Sequence, residues 1–255
     1  MKRLLALLSL FACGPAAAQE PPLIADVSEH LVAITSGFTG KDVLLFGAID
    51  APGDIVVVVK GPPHDVTVHR KDRIGPIWMN TESATFRDVP SYYHVATTRP
   101  VEEFVSDVLA ARFQMGIAHL RLEAESEKTD SAVQAAEPAK KDQPIDFRGA
   151  LVRLKVESDQ YDPGAGSVSM MSDRLFRTNL HFPSNTPTGT YFVEVYLFRN
   201  GTVASAVIVP FVISKIGVGA DITEFAKNFG WVYGIISIVL AVGAGWGAGE
   251  VFRRV

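Results

Sequence analysis

The sequence predicts a mainly β protein: two periplasmic β-sandwich-like (Ig-like) units with one intervening amphipathic helix, followed by a single C-terminal transmembrane helix. Three observations carry that expectation. Short runs rich in Val, Ile, Leu and Phe are punctuated by Gly and Pro about every ten residues, the rhythm of an all-β fold. A charged stretch poor in aliphatic residues interrupts the series, and an apolar run without Asp, Glu, Lys, Arg or His reaches from Asn228 to Gly249.

Residues 1–18 read as a signal peptide. Lys2 and Arg3 precede the apolar run Leu4 to Ala12, which is too short to span a bilayer, and Ala16-Ala17-Ala18 supplies the small residues of a cleavage site after Ala18. Leu10-Phe11-Ala12-Cys13 resembles a lipoprotein box, but Phe11 fits it poorly and a lipid on Cys13 would duplicate the C-terminal anchor. Removing Lys2 and Arg3 with this leader leaves 22 basic against 28 acidic groups, a formal charge of -6 where the whole chain carries -4. That balance argues against nucleic acid as a partner. Cys13 is the only cysteine, so the remaining chain has no disulfide and packing alone must hold it.

The first β unit, residues 24–99, contains Leu31 to Thr35, Val43 to Ile49 and Ile55 to Lys60, continued by Val66 to Arg70 and Ile77 to Asn80. Residues 100–122 change grammar. Pro100 suits a first helical position, Glu102 and Glu103 complement the opening dipole, and Val101, Phe104, Val105, Val108, Leu109, Phe113, Ile117 and Leu120 recur at threes and fours. One broad helical face should therefore pack against a sheet. Residues 123–143, holding one large aliphatic side chain, Val133, among many charges, read as a flexible linker.

The second unit, residues 145–216, opens with Ala150 to Glu157, whose Leu151, Leu154 and Val156 interleave with Arg153, Lys155 and Glu157 and read as a strand. Leu175 to Phe182, Tyr191 to Arg199 and Thr202 to Ile213 follow, the last two joined by the hairpin dipeptide Asn200-Gly201. Aromatic residues on the second face of Tyr191 to Arg199 imply that both its faces are contacted.

Residues 229–252 read as the membrane helix and 253–255 as a cytoplasmic tail. At about 1.5 Å per residue the run covers the roughly 30 Å of hydrocarbon, with Trp231 and Tyr233 at one end and Trp246 and Phe252 near the other. Arg253 and Arg254 place the C-terminus inside and the bulk outside the inner membrane. Within the helix Gly230, Gly234, Ser237, Ala241, Gly245 and Ala248 form a stripe of small side chains, a candidate packing face for a second copy or another membrane protein. Outside it, the cluster Arg70, Lys71 and Arg73, close to Trp78, is a candidate surface for an acidic partner or lipid headgroups; the competing expectation is an ordinary strand and turn with Trp78 in a core.

Six histidines raise a metal or solute binder as the alternative, but His64 and His69 are five apart and the others fall on unrelated elements, so no metal site and no cofactor is expected. No nucleophile elbow, phosphate loop or carboxylate pair is evident either, and the expectation is a non-enzyme.

Four stretches, GFTGKDVLLFGAI, IGPIWMN, FRDVPSYYHVATTRP and PTGTYFVEVYLFRNG, together resemble the alphaproteobacterial transmembrane protein family abbreviated Alph_Pro_TM, from about Ile24 to the anchor. Pro76 departs from the glycine-isoleucine-tryptophan stretch of that family. The resemblance implies a leader, an exported region and a C-terminal membrane helix, with no catalytic residues to carry over. It also implies, as a partner, a membrane exporter of the TauE/SafE sulfite type, which this protein would serve as an accessory module.

Overall fold

Five consecutive residues, Ile55 to Val59, are completely buried, which a strand can tolerate only when both of its faces are covered. The computed structural model, which describes residues 21–35, 37–125, 146–217 and 225–253, supplies both covers. Its elements in chain order are β1 (Leu23–Val27), β2 (Leu31–Ile34), β3 (Gly40–Ile49), β4 (Asp54–Lys60), β5 (Pro63–Ile74), β6 (Ile77–Pro90), β7 (Tyr93–Thr97), α1 (Asp107–Phe113), β8 (Ala124–Glu125), α2 (Phe147–Glu157), β9 (Gly166–Ser167), β10 (Ser169–Met171), β11 (Leu175–Pro183), β12 (Gly189–Arg199), β13 (Thr202–Lys215) and α3 (Gly230–Arg253). The signal peptide with Cys13, most of the 123–143 linker, and Arg254 lie outside the described residues.

Two sheets share one core. The first runs β1-β3-β11-β10 and the second β2-β13-β12-β4-β7-β9, with β2 and β9 each parallel to its neighbour. Leu45, Phe176, Leu180 and Phe182 of the first meet Val57, Val193, Val195 and Phe211 of the second, all essentially excluded from solvent. Phe182 lies 5.2 Å from Phe211 and 5.7 Å from Tyr191 between ring centroids, edge-on in both cases. Each large apolar side chain buried there stabilises the fold by about 1.5–3 kcal/mol before conformational entropy is counted.

The mainly β class holds, but the division at residues 123–143 does not separate two sandwiches. β11 pairs along its length with β3, and β12 lies between β13 and β4, so both sheets contain strands from both stretches. Turn spacing marks where strands begin and end; it carries no information about non-local pairing, and burying these faces required strands from both stretches.

The second face of the β4-β7-β12 region is covered by residues 101–120. Phe104, Val105, Ala110, Met115 and Leu120 pack with Val56, Val58, Tyr93, Val95, Tyr196 and Phe198. Packing against a sheet was expected and occurs; a continuous helix over 100–122 does not. α1 spans only Asp107–Phe113, because Gln114 (φ 54°) and Gly116 (φ 100°) turn into the left-handed region, and short 3-10 turns at Val101–Glu103 and Ile117–His119 complete the cover. Val108, assigned to the buried face, is 77% exposed.

The strand expected over Ala150 to Glu157 is instead the helix α2. Asp146 caps it, its carboxylate accepting from the Gly149 backbone N–H at 2.8 Å, and Leu151 and Lys155, four apart, form the buried face. The alternation of Arg153, Lys155 and Glu157 with Leu154 and Val156 imitates a strand, but the spacing of the buried pair is helical. Leu151 closes a third cluster with Val68, Ala84, Phe86 and Val89 at the base of the β5-β6 hairpin.

Two turns match their residues closely. Asn200 and Gly201 both have positive φ (51° and 74°), as a two-residue hairpin turn with the correct twist requires. At the end of β5, Gly75 has φ 64° and is followed by Pro76; positive φ at the first central position and a proline-compatible second one is the II′ pattern, so the Pro76 departure is absorbed by the glycine before it.

Candidate membrane span and exposed hairpin

The β5-β6 hairpin is pinned at its base and free at its tip. Phe86, Val89, Val68 and Ala84 are buried, yet from His69 to Ser83 no residue is buried. Pairing sets which side chains share a face. Arg73 stands opposite Trp78 and Lys71 opposite Asn80, so basic and aromatic side chains occupy one face; Ile74 opposite Ile77 and Asp72 opposite Met79 occupy the other. A bulge between Arg70 and Lys71 breaks the register behind them.

Trp78 is 68% exposed and Ile77 55%, which overturns the reading of Trp78 as a core residue. Arg70 is partly neutralised, its Nε donating to Asp72 at 3.2 Å, while Asp72 also accepts from Thr81 Oγ1 at 2.6 Å. Arg73 Nε donates to the Gly75 carbonyl at 3.2 Å. Among the described residues no carboxylate lies within ion-pair distance of Lys71 or Arg73, so the tip carries unpaired positive charge beside four exposed large apolar side chains. Arg70, Lys71, Arg73 and Trp78 are the residues expected on this surface; Ile77 and Met79, which flank Trp78 in the sequence, and Ile74 join them at the tip. The signal was present in Gly75-Pro76, a turn dipeptide that puts the residues on either side of it at a hairpin end.

The second feature is α3. Its segment Gly230–Gly249 has a mean hydropathy of 1.7 and is not buried against the rest of the protein. Trp231, Leu240, Trp246 and Phe252 are more than two-thirds exposed, an arrangement that water penalises and hydrocarbon favours. Ser237, the polar member of the small stripe, satisfies its hydroxyl within the helix by donating to the Tyr233 carbonyl at 2.9 Å. Gly230, Gly234 and Gly245 of the stripe have nothing within 4 Å of where a Cβ would stand. Ala241 and Ala248 follow on the same helical face, and no described residue from elsewhere in the chain covers it.

A family model described as Putative transmembrane protein (Alph_Pro_TM) matches residues 22–254. The chain belongs to that family. No curated protein matches it.

The buried polar groups of this Alph_Pro_TM protein mostly answer main-chain groups. Tyr93 Oη donates to the Gln114 carbonyl at 2.5 Å and accepts from the Gly116 N–H at 2.8 Å, which ties the end of α1 to β7. Tyr161 Oη donates to the Pro90 carbonyl at 2.8 Å. Burial raises the pKa of both phenols, and pushes that of Tyr191 up to about 12, so all three remain neutral donors. Lys155 Nζ donates to Gln160 Oε1 at 2.8 Å while burial lowers its pKa.

His94 on β7 sits with Nδ1 3.2 Å from Asp162 Oδ2. Burial lowers its pKa and Asp162 offsets part of that shift. Next to it, a cleft of about 400 Å³ is lined by Tyr93, Val95, Arg99, Met115, Asp162 and Gly166, between β7, the helical cover and the loop before β9. Of the other histidines, His181 pairs with Asp42 and His30 with Asp26, both exposed. Among the described residues no three of His, Cys, Asp or Glu are grouped to hold a metal ion.

Proposed function

We propose that this member of the Alph_Pro_TM family is a single-pass inner-membrane protein whose periplasmic β sandwich acts as a non-enzymatic binding or accessory module for another membrane protein. The observation that carries the reading is the apolar helix Gly230–Gly249, unburied by its own β domain and bearing a continuous small-residue face. In lipid such a face lets a second helix backbone approach closely. Tethering then holds the β domain at an effective concentration on the order of millimolar near the partner, so that weak contacts are occupied. A sulfite exporter of the TauE/SafE type is the partner the family resemblance suggests. Two basic side chains at the C-terminus support a cytoplasmic end.

The test is affinity purification from native membranes with mild crosslinking and mass spectrometry. A stoichiometric polytopic partner, lost when Gly245 and Ala248 are replaced by Leu, is the expected result. A lone monomer, or a complex indifferent to those two substitutions, counts against it.

The alternative reading is a solute binder feeding a transporter, and the cleft beside His94 and Arg99 is what favours it. A thermal-shift screen of the detergent-solubilised protein against small oxyanions, copper and zinc separates the two. Stabilisation abolished by Arg99→Ala would favour the binder.

A further inference from the structure

We infer that the β5-β6 hairpin is a second membrane contact, its tip inserting into the interfacial zone of an anionic phospholipid surface on the side of the β domain. This goes beyond the accessory-module reading and rests only on membrane anchorage, so it stands or falls separately from any protein partner.

The tip mixes exposed apolar side chains with basic ones at the same heights along the hairpin, a combination that suits a lipid interface. Ile74, Ile77, Trp78 and Met79 lie at the turn, all exposed. Two to three residues at about 3.3 Å each put them within roughly 7–10 Å of the end, the depth to which amphipathic elements bury in the headgroup and acyl boundary. Arg73 stands level with Trp78 and Asp72 with Met79; Lys71 follows opposite Asn80, and Arg70, held to Asp72, lies further back opposite Glu82, while Arg73 and Lys71 have no carboxylate partner among the described residues. At that height basic side chains meet phosphate and favour an anionic surface, while Trp78 is the residue type that settles at the headgroup level.

Geometry permits the contact. The distal hairpin from His69 outward is unburied and extends roughly 17 Å beyond its pinned base at about 3.3 Å per residue. From Lys215 to Phe225, where helix resumes, the chain could reach at most on the order of 35 Å, about twice the radius of gyration of roughly 16 Å expected for a domain of this size, so the tether leaves the domain room to turn its hairpin toward the bilayer. An aqueous role gives no reason for four large apolar side chains around one turn, since scattered exposure of that kind is ordinary but clustering is not.

The protein has three tryptophans, so replacing Trp231 and Trp246 with Phe leaves Trp78 as the sole reporter in the full-length chain. The probe is that protein reconstituted into vesicles of phosphatidylcholine alone or mixed with phosphatidylglycerol, with and without brominated acyl chains. Expected are blue-shifted Trp78 emission, quenching by brominated lipid severalfold stronger in the anionic vesicles, and loss of most of that difference in Lys71→Glu/Arg73→Glu. Trp78 that stays open to acrylamide and unquenched by brominated lipid in anionic vesicles overturns the inference. So does a blue shift without lipid quenching, which would place the tip against protein, either a partner or a second copy.

Discussion

Leu180 on β11 stands directly opposite Val43 on β3, and both are fully excluded from solvent although residues 126–145 come between them in the chain. The pair lies inside the core shared by the two principal sheets. Truncating Leu180 to Ala leaves a cavity between two facing sheets that cannot easily collapse. The expected cost is about 3 kcal/mol, within the 2–5 typical of such changes. Denaturant unfolding checks it: the midpoint should fall with little change in slope.

The same pairing bears on how the chain divides. Backbone ladders β3-β11 and β4-β12 join the stretch before residue 126 to the stretch after residue 145, so neither can complete either principal sheet without the other. Co-expressed fragments 1–135 and 136–255 should therefore assemble, a tagged C-terminal piece retaining its partner through detergent purification. If each fragment instead proves soluble, protease-resistant and monomeric when expressed alone, the shared-sheet description is wrong.

Local signals are legible in the sequence, and non-local ones are not. Asn200-Gly201, the β4 aliphatic run and the C-terminal span each declare themselves within a few residues, through backbone preference, continuous apolarity or length. The pairing of β3 with β11 depends on two distant apolar faces fitting each other, and no window of one sequence contains that information. α2 is ambiguous for a different reason: Leu154 and Val156 alternate with Arg153, Lys155 and Glu157 as in a strand, while Leu151 and Lys155 keep a helical spacing, and the cap at Asp146 decides between them. At the hairpin the charges were found but the exposure of Trp78 was not, because periodicity cannot tell a core face from a projecting ribbon.

Base and tip of the β5-β6 hairpin should respond oppositely to truncation. Phe86 is 1% exposed and packs with Val68, Val89 and Leu151, so Phe86→Ala should cost about 3–5 kcal/mol. Trp78→Ala removes a larger side chain, but one that touches little in the folded domain, and stability should stay within about 0.5 kcal/mol of the parent. Equilibrium unfolding of the two variants in the same detergent makes the comparison. Equal losses would mean that the tip packs against something the isolated chain provides.

Stability should also depend on pH through His94. Burial is the largest influence on that imidazole and lowers its pKa from 6.5, with Asp162 pulling the other way, so the folded protein binds its proton less readily than the unfolded chain does. His64 shifts in the same direction, through burial and the nearby Lys155 charge. Below pH 6.5 the unfolded state therefore carries more protons than the folded one, and stability falls as the pH drops; above it both states are neutral at these sites and the contribution is fully present. Thermal midpoints at pH 7.5 and 5.5, about a unit on either side of 6.5, should show the loss. His94→Gln, which keeps a polar group near Asp162 but cannot titrate, should flatten the profile. A slope unchanged in that variant would assign the pH dependence to His64 or to carboxylates instead.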